Sequence, residues 1–257
     1  SFGEDGPKGA RGALARLIEG EGIAMVVQPI VDWRTGKVHA YEALARFQTR
    51  GTSSPLHWFA LADEFGLRED LEIACLEAAL ELLDYVPAGA RLSVNLSGPV
   101  LMGERAQRIL ASRADVSALI VEVTEEALVH RDAALKSAIE PLLARGAHFA
   151  VDDMGAGYSG LGQVTALHPT YLKLDRSLVR EIDKDPDRAA LLRALAGYSE
   201  HTGALMVAEG VETAEELDAI ADLGIPLIQG YYLGRPAPPW PDVTKPVPAA
   251  TEVPVRQ

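Results

Sequence analysis

The chain has 257 residues, is 48% hydrophobic and carries a formal charge of −13, from 37 acidic and 24 basic side chains. That length and apolar content allow a sizeable core in one large domain or two small ones. The acidic balance argues against a duplex-DNA or anionic-membrane surface, which needs basic patches, but not against a small anion held by metal ions or by one local Arg or Lys.

Residues 1–10, rich in Gly and charge, read as a linker, and residues 11–237 as one domain. Inside it, apolar runs with β-branched residues recur at 24–31, 38–44, 91–96, 119–123, 148–152, 171–174, 205–209 and 226–229. Their length and composition predict buried strands. Helix-like stretches lie between most of them, for example Glu69–Leu83, Ala133–Ala144, Arg188–Thr202 and Ala214–Leu223. The first of these contains the single cysteine, Cys75, which reads as a core thiol and excludes an intrachain disulfide or a CxxC zinc site. The last begins with a capping box, Thr213 to Glu216. From Pro238 to Gln257 the chain is a proline-rich tail, expected outside the core. No run is apolar enough to cross a membrane, so a reducing, cytoplasmic setting is expected. A start at Ser1 rather than Met fits the cytoplasmic part of a longer, membrane-anchored protein.

Eight strands alternating with helices predict an α/β fold, a TIM-like (β/α)8 barrel. One connection departs from that pattern. Only D-W-R-T-G-K separates Val31 from Val38, too short for a helical crossover, so the first two strands form a hairpin and one barrel strand runs antiparallel.

Almost every strand carries a polar residue near its end: Glu42, Asn95, Glu122, Asp152 with Asp153, Lys173, Glu209 and Gln229. One acid at a strand end is ordinarily a solvated loop residue or a helix cap. Five acids and an Asn recurring at one mouth of a barrel form instead the donor set of a hard cation such as Mg²⁺ or Mn²⁺. Asp152 and Asp153 repel each other unless a cation lies between them. They point to opposite faces of a straight strand, so both serve one site only if the chain bends, which Gly155 and Gly157 allow. Two metals sharing an aspartate activate water for in-line attack on a phosphodiester. A competing reading comes from Gly155-Ala-Gly157-Tyr-Ser-Gly160, which fits the dinucleotide fingerprint G-x-G-x-x-G. Two adjacent carboxylates facing the pyrophosphate, and a position at the fifth strand, count against it.

The stretch Y-E-A-L-A-R (41–46) resembles the signature of the EAL domain family, bacterial phosphodiesterases of cyclic di-GMP. Q-P-I-V (28–31), S-V-N-L-S (93–97), V-E-V-T-E (121–125), D-D-M-G-A-G-Y-S-G-L (152–161), L-K-L-D-R-S-L-V (172–179), A-E-G-V-E-T (208–213) and Q-G-Y-Y-L-G-R-P (229–236) are similar to that family's successive motifs, in order. The resemblance implies a modified TIM barrel with an antiparallel strand. It also implies two Mg²⁺ or Mn²⁺ ions and hydrolysis of cyclic di-GMP to linear pGpG. Carried over, Glu42, Asn95, Glu122 and Asp152 hold the first ion, and Asp152 bridges to the second with Asp153 and Glu209. Lys173 sits beside the phosphate and the water, and Glu209 is the base if one is needed. The strand spacing agrees: Asp175 shares a face with Lys173 and suits orienting it, Arg46 suits a phosphate oxygen or else a surface salt bridge, and Gln28 and Gln229 suit guanine or water, Gln28 otherwise a solvated strand-end amide. Glu125 clamps the glycine-rich loop. That loop departs from the family's usual D-D-F-G-T-G-Y-S-S-L at Met154, Ala156 and Gly160, which puts regulation and rate in question rather than the ligand set. The resemblance further implies a homodimer and fusion to a sensory or cyclase module. Its alternative is an EAL domain that binds cyclic di-GMP, or a partner protein, without turnover.

Overall fold

The computed structural model describes residues 7–49, 54–128, 132–155 and 167–243. Eight strands close into a barrel in chain order: β1 (Ile23–Asp32), β2 (Lys37–Phe47), β3 (Arg91–Asn95), β4 (Leu119–Thr124), β5 (His148–Met154), β6 (Tyr171–Leu174), β7 (Leu205–Ala208) and β8 (Leu227–Gln229). The strand that departs from the parallel rule is β1, antiparallel to both β2 and β8. Its hairpin turns at Gly36, in the left-handed region at φ 69°. Asp32 caps that turn by accepting from Arg34 N at 2.9 Å.

Two apolar layers follow from the strand period of two. One lies between the barrel wall and the helices outside it. The other fills the barrel and includes Ile30, Ala40, Ile120, Ala150, Tyr171, Val207 and Leu227. Two residues further along the same face of β2, β4, β5, β6, β7 and β8 stands Glu42, Glu122, Asp152, Lys173, Glu209 or Gln229. In the reversed β1 the step runs backwards, from Ile30 to Gln28. The inner core is thus the floor on which the polar mouth is laid.

Both ends of the domain differ from expectation. A helix over Pro7–Ile18 replaces the last part of the expected linker. It buries Ala10, Leu14 and Leu17 against Phe47, Trp58 and Leu71, because its apolar residues recur at helical spacing. The start of the proline-rich tail also packs. Trp240 meets the ring of Tyr41 at 5.2 Å between centroids, and the Tyr41 hydroxyl donates to Pro241 O at 3.4 Å. The capping box is present, with Thr213 and Glu216 bonded in both directions.

Candidate active site

The C-terminal mouth of the barrel holds a cleft of about 340 Å³. At its base is Lys173, 1% exposed, and four carboxylates face its ammonium. Nζ lies 2.7 Å from Glu122 Oε2, 2.7 Å from Glu209 Oε1, 3.1 Å from Asp152 Oδ1 and 3.5 Å from Glu42 Oε2. Asn95 Nδ2 and Gln229 Nε2 each donate to Glu42 at 2.7 Å. Ser93 donates to the other oxygen of Glu122. Gln229 also donates to Gln28 Oε1 at 3.2 Å, and Gln28 donates in turn to Gly234 O at 3.0 Å. One connected network therefore spans β1, β2, β3, β4, β5, β6, β7 and β8.

Asp153 joins the ring by breaking the strand. The register of β5 slips between Val151 and Met154, and Asp153 takes φ 57°. That left-handed conformation costs a non-glycine residue about 1 kcal/mol or more. It also turns a side chain that would face outward onto the side of Asp152. The bend thus sits at Asp153 itself, with Gly155 completing it at φ 101° and Leu178 occupying the space a Cβ would need. Gly157, Ala156 and Gly160 lie outside the described residues. Met154 is buried and paired with Leu174. Glu125 accepts from the backbone N–H of Gly155, at 3.1 Å.

The charges show what is missing from protein alone. Glu42, Glu122, Asp152, Asp153 and Glu209 set five carboxylates against one ammonium. Burial pushes the Glu122 carboxyl up to about 8, against the pull of Lys173. Burial, then the neighbouring Asp152, lifts Asp153 to about 6. Burial raises Glu209 well above the usual carboxylate range. For Glu42 burial acts in the same sense, but Lys173 and the amides of Gln229 and Asn95 more than offset it, leaving a lowered pKa. Burial also opposes the charge on Lys173, but the surrounding carboxylates outweigh it and hold the lysine protonated. The ring is under-supplied with positive charge.

These residues fit divalent ions. Oxygens of Asp152, Asp153 and Glu209 lie within 4.8 Å of one another. Asp152 Oδ1 is buried and has no hydrogen bond of good geometry, although the Lys173 ammonium is 3.1 Å away. That contact is a charge contact which leaves the oxygen's lone pairs open. The ring contains only oxygen donors and one amine, the preference of Mg²⁺, Mn²⁺ or Ca²⁺ rather than a soft metal.

Two expected residues stand elsewhere. Arg46 lines an adjoining cavity of about 150 Å³ with Asn95, Phe59 and Cys75, and its guanidinium donates to Ala45 O at 2.9 Å. Two strand steps beyond Glu42, it rises above the ring. Asp175 lines the cleft but caps the helix Arg176–Val179, accepting from Ser177 N at 2.8 Å. Lys173 is instead oriented by Glu122 and Glu209. Sequence reasoning missed Ser93, which stands two residues before Asn95 on the same face, the spacing that marks a shared site. It also missed Tyr231, half-exposed on the cleft wall with the Arg235 guanidinium 4.1 Å from its ring centroid.

A closed mixed barrel with a ring of oxygen donors at its C-terminal mouth is the class that fold and site define. The sequence model of the EAL domain family matches residues 11–236, and the chain belongs to that family. It is 32% identical over 235 residues to the probable cyclic di-GMP phosphodiesterase PdeG of Escherichia coli K12, covering 87% of this chain and 46% of that protein. The PaMucR phosphodiesterase in complex with c-di-GMP superposes with TM-score 0.78 at 29% identity, over 90% of this chain and 98% of that one. The manganese/cy-diGMP complex of Klebsiella pneumoniae BlrP1 does so with TM-score 0.76 at 31% identity, over 85% and 56%. The chain spans less than half the length of the curated relatives it matches.

Proposed function

We propose that the chain is a divalent-metal-dependent phosphodiesterase that hydrolyses cyclic di-GMP to linear pGpG in bacterial second-messenger signalling. The observation that carries this reading is the convergence of five carboxylates and Asn95 on the mouth around Lys173, with Glu42, Glu122, Asp152 and Glu209 each two residues beyond an inner-core residue. Membership of the EAL family and the bound ligands of its solved relatives support the substrate. Glu42, Asn95, Glu122 and Asp152 would hold one Mg²⁺ or Mn²⁺, and Asp152, Asp153 and Glu209 a second. Bound there, the ions lower the pKa of water and neutralise phosphate oxygens.

The chain's own groups do the rest. Lys173 donates to a non-bridging oxygen of the scissile phosphate, adding a fixed charge where negative charge grows. Glu209, the most exposed carboxylate within reach of Lys173, accepts the proton of the attacking water. Water oxygen bonds to phosphorus, the P–O3′ bond breaks, and the departing 3′ oxygen takes up, through solvent in the cleft, the proton that Glu209 accepted, leaving as a hydroxyl. Gln229 Oε1 is buried without a hydrogen-bond partner and is free to accept from substrate or an ordered water. Glu125 holds the backbone after Asp153. Asp175 lines the cleft for the nucleotide, and Arg46 stands at the rim beside Asn95, a cation that could meet a phosphate oxygen. The shorter span than its curated relatives supports a reading in which the domain works within a longer, multidomain protein.

The test is incubation with cyclic di-GMP and Mn²⁺ or Mg²⁺, with chromatography for pGpG. Turnover supports an enzyme. Binding without product supports the receptor alternative. Glu42→Ala removes a carboxylate that holds two amides and faces Lys173, so it should abolish turnover while the circular dichroism spectrum stays native. Retained activity in that variant would mean the site is misplaced.

A further inference from the structure

The acids buried outside the ring share a feature that the chemistry does not require. Among the described residues they are Glu72, Glu125 and Glu216, and each accepts backbone N–H groups from segments that leave the barrel mouth. Glu72 accepts from Ser97, two residues past Asn95, at 2.9 Å. Glu125 accepts from Gly155, two residues past Asp153. Glu216 accepts three: Glu212 N at 2.8 Å, Thr213 N at 3.2 Å and Glu181 N at 3.0 Å.

The third of Glu216's bonds matters most. Those to Glu212 and Thr213 belong to the end of the segment that follows β7, and Thr213 N is its half of an ordinary helix cap. Glu181 is 35 residues away, on the segment that follows β6. It takes φ 54°, a conformation that the bond helps to hold. One side chain therefore ties the exits of the strands that carry Lys173 and Glu209. Between these anchors the chain has little freedom. Glu209 N donates to Leu174 O, Val211 N to Gln229 O, and Gly210 at φ 68° passes so close to the stem of Arg176 that a Cβ would lie 2.5 Å from its Cγ.

We infer that Glu216 is a positioning residue for the metal ring, setting where Glu209 stands relative to Lys173, rather than a helix cap alone. This rests on the proposed metal-dependent reading of the mouth. An ionised carboxylate accepting three N–H groups has its pKa lowered despite burial, which keeps it charged and bonded. Groups that hydrogen-bond a ligating side chain directly change metal affinity or activity by about 10- to 100-fold when removed; Glu216 acts one step further back, through the backbone after Glu209, so the lower end of that range is expected.

The test compares Glu216→Gln with Thr213→Ala, which weakens the same helix cap and leaves the bond to Glu181 in place. Mn²⁺ binding is titrated by calorimetry, thermal stability is measured beside it, and amide hydrogen exchange is followed on metal-free protein. Glu216→Gln should weaken Mn²⁺ binding by up to about tenfold, the low end of the range for outer-shell partners, and speed exchange at Glu181 and Glu212. Thr213→Ala should lower the melting temperature with Mn²⁺ affinity unchanged. If Glu216→Gln does not fold, Glu216→Asp, too short to keep the bond to Glu181, is read in the same way. Equal Mn²⁺ affinity in wild type and the Glu216 variant, or equal losses in both variants, would overturn the inference. A wild type that takes up no Mn²⁺ would overturn the functional reading and this inference with it.

Discussion

Lys173 concentrates the energetics of the mouth on one atom. A buried ammonium is costly to desolvate, and only the carboxylates around it make it tolerable. Replacing it by Met keeps the stem but removes the pull that offsets burial at Glu122, so at pH 8 the folded variant must either take up a proton there or hold an unpaired charge beside the other acids. Lys173→Met should therefore lose about 3–5 kcal/mol in metal-free urea unfolding at pH 8, and less near pH 5, where protonation relieves the repulsion. Glu122 makes a related prediction in the wild type. Its folded pKa of about 8 lies above the ordinary carboxylate value, so the folded protein holds a proton that the unfolded chain has lost. That contribution is complete below the ordinary carboxylate pKa and disappears as pH rises towards 8. With a chelator present, the melting temperature should fall between pH 5 and pH 8, and a flat profile would contradict the assigned burial of Glu122. Most ring members were visible in the sequence because a strand has a period of two and places them on one face, Asp153 joining only through the bulge in β5. Their side-chain directions were not. Nothing local distinguishes an Asp175 that aims at Lys173 from one that caps the next helix.

The bulge in β5 is the element on which the site depends. The double aspartate announced that the strand must bend, and the bend falls on Asp153 as well as on Gly155, because Asp tolerates the left-handed region better than most residues. Asp153→Asn keeps that tolerance and removes a charge that faces Asp152. It should raise metal-free stability by about 1 kcal/mol, a figure reduced because Asp153 is half-buried, and should shrink the stabilisation by Mn²⁺. The turn after β8 makes a steric prediction. A Cβ on Gly230 would sit 2.1 Å from Val211 O, a backbone atom held by Tyr232 N. Gly230→Ala should cost about 3 kcal/mol, at the upper end for overpacking, as read by urea unfolding. The β1–β2 hairpin was legible because six residues cannot house a crossover helix. The Glu216 clamp was legible only in part. Thr213 and Glu216 have cap spacing, whereas Glu181 lies too far along the chain to leave a local signal.

At the scale of the whole molecule, a net acidic chain closes a barrel around a mouth with too little positive charge. The domain's ends were drawn too tightly because composition cannot show that Ala10 and Trp240 find apolar partners. Alternation of strands and helices did reveal the barrel, since each strand's burial is written in its own composition. A site that is strained without cations gains stability when they bind. Mn²⁺ at a hundredfold excess over its dissociation constant should add about 2.7 kcal/mol to unfolding free energy, and a chelator should reverse it. The most direct measurement of the central claim is the fate of cyclic di-GMP incubated with the wild type and Glu42→Ala in Mn²⁺, with and without chelator. The account predicts pGpG from the metal-loaded wild type alone. Product that persists in the variant or under chelation, or a wild type that takes up Mn²⁺ and makes none, would contradict it.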